Sequence, residues 1–126
     1  MNTGEGIILV VDDDRDFRRA VCAIIKSAGY LPVEETNPLA VLKTIIEIRP
    51  DLVMLDLYMP GGKGVDLVRS MKELEMDVPV VIVSGRVSVE DFQSLRDLGV
   101  EEFLAKPVTK VSLISKIRQI LPQAGR

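Results

Sequence analysis

The stretch Ile7-Ile8-Leu9-Val10-Val11-Asp12-Asp13-Asp14 runs five aliphatic residues straight into three carboxylates. A short, continuous, β-branched run of this kind reads as a strand buried on both faces, as in parallel sheets covered by helices. Three later stretches repeat the pattern. Leu52-Val53-Met54-Leu55 leads into Asp56, Val80-Val81-Ile82-Val83 into Ser84-Gly85, and Phe103-Leu104-Ala105 into Lys106-Pro107. In open α/β sheets, ligands bind at the carboxyl ends of the strands. The acids, the hydroxyl and the ammonium should therefore converge on one rim.

The segments between these runs have helical length and spacing. Asp14 is placed to cap a helix over residues 15–28, with Phe17, Val21, Ile24, Ile25 and Ala28 as its apolar stripe and Gly29 as its stop. A short second strand covers residues 30–35. Asn37-Pro38 opens a helix with Leu39, Leu42, Ile45 and Ile46 inward, which Pro50 ends. Gly61-Gly62-Lys63-Gly64 reads as a loop before a helix over residues 65–74. Ser88 caps a helix carrying Val89, Phe92 and Leu95 that Gly99 ends, and Val111, Ile114, Ile117 and Leu121 mark a last helix running to Pro122. Leu113 and Ile120 widen that helix's apolar face; a broad core-facing helix explains them better than a homodimer or effector surface, which stays the alternative. The order is (βα)5, an α/β doubly wound five-stranded parallel sheet. Only the order 2-1-3-4-5, the flavodoxin-like arrangement, sets strands one and three side by side at the switch point.

With 126 residues the chain suits a single domain with a core over about residues 6–122, able to bury about two thirds of its unfolded surface. Its 16 basic and 19 acidic residues leave a net charge of -3, which argues against direct nucleic-acid binding. One cysteine, Cys22, forms no internal disulfide, and no apolar run reaches the length of a membrane span or signal peptide. These features point to a cytoplasmic protein that needs no membrane.

Adjacent strands lie about 4.8 Å apart, so Asp56 should sit beside Asp12 and Asp13, and carboxylates that close repel by about 1 kcal/mol per pair even in water. A divalent cation removes the conflict. Mg2+ fits best, because it prefers octahedral oxygen coordination and keeps waters that a phosphate can replace. A chain with no histidine and one cysteine offers little to zinc or copper. Aspartates after a strand also serve as turn formers and caps, yet three in a row exceed what capping needs. Asp56 can act as a nucleophile that takes a phosphoryl group as an acyl phosphate. In the same crevice Lys106 can pair with a carboxylate or phosphate, and Ser84 can donate to a phosphate oxygen. The Lys106-Pro107 bond is a candidate cis peptide.

Together these four segments resemble the receiver domain of two-component response regulators, in family order and spacing from Ile7 to Leu121. The resemblance implies that Asp56 is the phosphoacceptor and that Asp13 and Asp56 contact Mg2+ directly, with Asp12 acting through a metal-bound water and the Tyr58 backbone carbonyl completing the set. It makes Ser84 the switch hydroxyl, Lys106 the lysine that pairs with the phosphate, and Phe103 the aromatic switch position. Tyr58 and Arg86 fall where such domains tune dephosphorylation. The implied function is a phosphorylation-dependent switch that catalyses only its own phosphorylation and dephosphorylation. Its implied partners are a histidine kinase or histidine phosphotransfer protein, with an output domain or effector downstream.

Other functions suit the topology less well. A flavodoxin-like cofactor binder needs a hydroxyl- and glycine-rich phosphate loop after strand one, where this chain has three acids. A Mg2+-dependent aspartyl phosphatase of the haloacid dehalogenase type would want a second aspartate two residues after the nucleophile, where Tyr58 stands. A receiver-like interaction module without phosphoryl turnover would not need the full set of Asp13, Asp56, Ser84 and Lys106.

Overall fold

The structure, a computed structural model, describes residues 6–121. Strands β1 (Ile7–Val11), β2 (Leu31–Glu35), β3 (Leu52–Leu55), β6 (Val80–Ser84) and β7 (Glu102–Ala105) form one parallel sheet in the order β2-β1-β3-β6-β7. Two short strands, β4 (Tyr58–Met59) and β5 (Gly62–Lys63), pair antiparallel outside it. With that hairpin set aside, the order is the expected 2-1-3-4-5. Helices α1 (Arg15–Ser27), α2 (Val41–Ile48), α3 (Gly64–Glu73), α4 (Val89–Asp97) and α5 (Lys110–Ile120) alternate with the five long strands.

Alternation along the strands divides the core in two. Ile8, Val10, Leu52, Met54, Val81 and Val83 face α1 and α5, where they meet Val21, Ile25, Leu113 and Ile117. Leu9, Val11, Val53, Leu55 and Ile82 face the other way, against Val41 and Ile45 of α2, Val68 and Met71 of α3, and Leu95 of α4. Because α5 runs back along the sheet, its end returns to the start of β1. The Tyr30 hydroxyl lies 3.4 Å from the Leu121 carbonyl oxygen, and a Cβ on Gly6 would sit 3.4 Å from the Leu121 side chain.

Three stripes differ from their expected phase. Residues 38–40 form a 3-10 turn, in which the Asn37 side chain accepts from the Leu39 amide at 2.9 Å. The tighter turn advances the register, so Val41 and Ile45 face the core while Leu39 (83% exposed) and Ile46 face solvent. In α5, Thr109 and Ser112 form a reciprocal cap that fixes the start at Lys110. Leu113 and Ile117 are thereby core residues with Ile120 packed beside them, and Val111 is 78% exposed. The broad core-facing reading of Leu113 and Ile120 holds. Within α4 only Leu95 is buried; Val89 and Phe92 remain exposed. The expected stop at Pro122 lies outside the described residues.

The segment read as a loop at residues 61–64 is the turn and second strand of the β4–β5 hairpin. Gly61 takes a φ of +97° at its tip. Gly64 seats the start of α3 directly on the chain, where a Cβ would stand 3.0 Å from the Leu57 Cα. That contact leaves room for glycine alone and fixes how the chain leaves Asp56.

Candidate functional site

Register places the acids. Val11 pairs with Leu55, so Asp12 and Asp56 leave neighbouring strands at the same level, and the Asp56 amide donates to the Val11 carbonyl at 2.9 Å. Asp12 is 2% and Asp56 7% exposed, whereas Asp13 faces solvent. One carboxylate oxygen from each of the three lies within 4.8 Å of the others, which makes an acidic pocket able to bind a metal ion. With oxygen ligands at about 2.1 Å, Mg2+ sets opposite ligands about 4.2 Å and adjacent ones about 3.0 Å apart. Three carboxylate oxygens within 4.8 Å of one another, all hard oxygen donors, suit such an ion.

Lys106 reaches this cluster from the end of β7. Its Nζ lies 2.7 Å from Asp12 Oδ2 and 3.8 Å from Asp56 Oδ2, so the tighter partner is Asp12 and not the candidate acceptor. Burial pushes the Asp56 carboxyl above its ordinary value; Lys106 pulls it back, Asp12 pushes it further up, the Tyr58 backbone amide lowers it, and Asp13 adds a final upward push. Burial therefore disfavours the charged form of Asp56.

Ser84 is buried at the end of β6, and its hydroxyl donates to the Arg86 carbonyl at 3.0 Å. It adjoins Lys106 through the backbone, since the Lys106 amide donates to the Ser84 carbonyl at 2.9 Å. The Lys106-Pro107 bond is cis. Phe103 is half-buried on β7, with its ring 5.0 Å from that of Phe92 on α4. The Tyr58 side chain points away from the acids of the rim. The phenol donates to Asp91 Oδ2 at 2.7 Å and accepts from the Ser88 amide at 3.2 Å, which ties the loop after β3 to the first turn of α4. That donor holds the Asp91 carboxyl below the usual carboxylate range.

Three neighbours escape a sequence reading. Arg18 donates through Nη1 to the Asp12 backbone carbonyl and through Nε to Glu34, both at 2.9 Å, bracing the acidic loop against β2. Nothing in the sequence separates it from Arg15 and Arg19, which are exposed. Phe17 belongs to the apolar stripe of α1, yet its ring centroid lies 4.3 Å from Lys106 Nζ. Asp91 looks like any acid in a helix's first turn. Each acts through a partner distant in the chain.

Residues 8–118 match the family model described as response regulator receiver domain. Among curated proteins, the chain is 31% identical over 116 residues to the phosphate regulon transcriptional regulatory protein PhoB of Escherichia coli K12, covering 90% of this chain and 51% of that one. It is 30% identical over 118 residues to the transcriptional regulatory protein PrrA of Mycobacterium tuberculosis, covering 94% and 51%. The chain thus spans about half the length of the curated relatives it matches. Among solved structures, a receiver domain protein (CheY-like) from Methanospirillum hungatei superposes with a TM-score of 0.88 at 24% identity, covering 95% of this chain and 96% of that one. The BeF3-activated N-terminal receiver domain of RstA from Klebsiella pneumoniae gives 0.83 at 25% identity, covering 93% and 99%.

Proposed function

Because this chain belongs to the response regulator receiver family, whose domains serve phosphorylation-dependent signalling, we propose that it is a switch operated by a phosphoryl group on Asp56. The observation that carries this reading is the rim itself: a buried Asp56 with Asp12 and Asp13 oxygens within 4.8 Å and the Lys106 ammonium at 3.8 Å. In the proposed step an Asp56 carboxylate oxygen attacks phosphorus, an acyl phosphate bond forms, and the donor's bond to phosphorus breaks with its electron pair leaving on the donor. The donor is a histidine kinase or histidine phosphotransfer protein.

Asp13, Asp56 and the Tyr58 backbone carbonyl would hold Mg2+, with Asp12 acting through a bound water. When bound, that ion would neutralise the charge developing on the transferring group. Lys106 leaves Asp12 for a phosphate oxygen, and Ser84 turns its hydroxyl from the Arg86 carbonyl toward the same group. Phe103 follows the space that Ser84 vacates. Residues 1–126 form one receiver domain with a core over about residues 6–122, acting in the cytoplasm. It hands its state to an output domain or effector, a homodimer being the other route. The names of the similar regulators favour a transcriptional output.

Acetyl phosphate with Mg2+ should add one phosphoryl group to the protein, read by intact mass. Asp56→Asn should gain none; a variant that gains the same mass as the parent means the acceptor lies elsewhere.

A further inference from the structure

Lys106 is held on three sides. Besides Asp12 and Asp56, its ammonium lies 4.3 Å from the centroid of the Phe17 ring, well inside the range over which a cation is drawn to an aromatic face. We propose that Phe17 is a positioning residue for Lys106, its ring face keeping the ammonium over the acceptor crevice when a cation takes the charge of Asp12. The inference rests on the reading of Lys106 given above and adds to it a residue from a different element.

The physical need follows from the distances. Asp12 is the closest anionic partner of Lys106, at 2.7 Å, and it is also one of the three carboxylates able to hold a divalent ion. Once an ion draws on that carboxylate, the ion pair weakens and the ion itself repels the ammonium. The ring quadrupole is not consumed in this way, because no group in the cluster competes for it. Partial burial of Lys106, 23% exposed in its side chain, strengthens the attraction further.

Phe17 is fixed well enough to serve. Its own amide donates to the Asp14 side chain at 3.1 Å in the cap of α1, and its ring packs against the core between the sheet and α1 and α5. The ring also walls, with Asp12, Met54, Asp56 and Val83, the small void beneath the acids. It cannot follow the ammonium away. A leucine would fill much of this space without offering a negative face.

A double-mutant cycle with beryllofluoride and Mg2+ as the probe tests this. Phe17→Leu should weaken beryllofluoride binding about 3- to 10-fold when Lys106 is present, but less than about 2-fold in a Lys106→Met background. Phe17→Tyr should bind like the parent. In metal-free protein the Lys106 side-chain protons should show an upfield ring-current shift in NMR that survives Phe17→Tyr and vanishes in Phe17→Leu. Equal losses in both backgrounds would make Phe17 a packing residue and overturn the proposal, as would an undiminished affinity in Phe17→Leu. Should Lys106→Met alone bind as tightly as the parent, the reading of Lys106 fails and takes this one with it. If Lys106→Met is weakened while Phe17→Leu is not, the positioning role alone fails.

Discussion

Asp56 carries a charge that burial penalises, while its neighbour Asp12 carries one that Lys106 and a backbone amide satisfy. The Asp56 carboxyl is raised in the folded chain, so its contribution to stability is full below the unfolded pKa and is lost as pH rises through the folded value. Asp56→Asn in EDTA should therefore raise Tm above both values, and the gain should shrink to nothing as pH falls below them. A few degrees is the expected size, since about 1 kcal/mol moves Tm by roughly 3–6 °C at this length. Asp12→Ala should do the reverse. It leaves Lys106 without its 2.7 Å partner and the Asp14 amide without its 2.9 Å acceptor, at a cost of about 1–3 kcal/mol. Melts of both variants decide the matter, and an Asp56→Asn protein no more stable than its parent at pH 8 would contradict a strained acceptor. Asp12, Asp13, Asp56, Ser84 and Lys106 were legible in the sequence because each ends a buried run, where topology alone sets position. Phe17 and Arg18 were not, because a helix stripe does not say which side chain across the sheet it will touch.

Among the five α-helices, α4 is the one least anchored by apolar burial. Leu95 alone is buried in it, and its first turn is held to the acceptor loop by the Tyr58 phenol through Asp91 and the Ser88 amide. Tyr58→Phe removes both bonds and little volume. Amide exchange in the first turn of α4 should quicken about 2- to 10-fold. The Asp91 carboxyl, lowered chiefly by that phenol, should titrate at higher pH in the variant, measured by carbon-detected NMR. Unchanged exchange and titration would mean that the bridge holds nothing. Helix existence and order were readable from breakers and caps. The phases of α2 and α5 were not, since a 3-10 turn at Pro38 and a reciprocal cap at Thr109 rotate each stripe, and spacing counts carry no information about such a rotation.

Across the whole molecule the acidic rim couples to folding through anything that binds it. A ligand of the native state alone stabilises by RT ln(1 + [L]/Kd), about 1.4 kcal/mol at ten times Kd. Millimolar Mg2+ should therefore raise the parent's Tm by a few degrees, and Asp13→Ala should abolish that rise, since it removes one of the three oxygens. A shift of the same size in the variant would place the cation elsewhere.

The meeting of Gly6 with Leu121 has a mechanical consequence. Both lie on the amino edge of the sheet, and the rim lies on the carboxyl edge, a five-residue strand or about 16 Å away. Spliced into a host loop at these two points, the domain would open no gap in the host, because entry and exit share one hinge point. Tension applied there would enter β1 and α5 at the edge of the sheet opposite the acids.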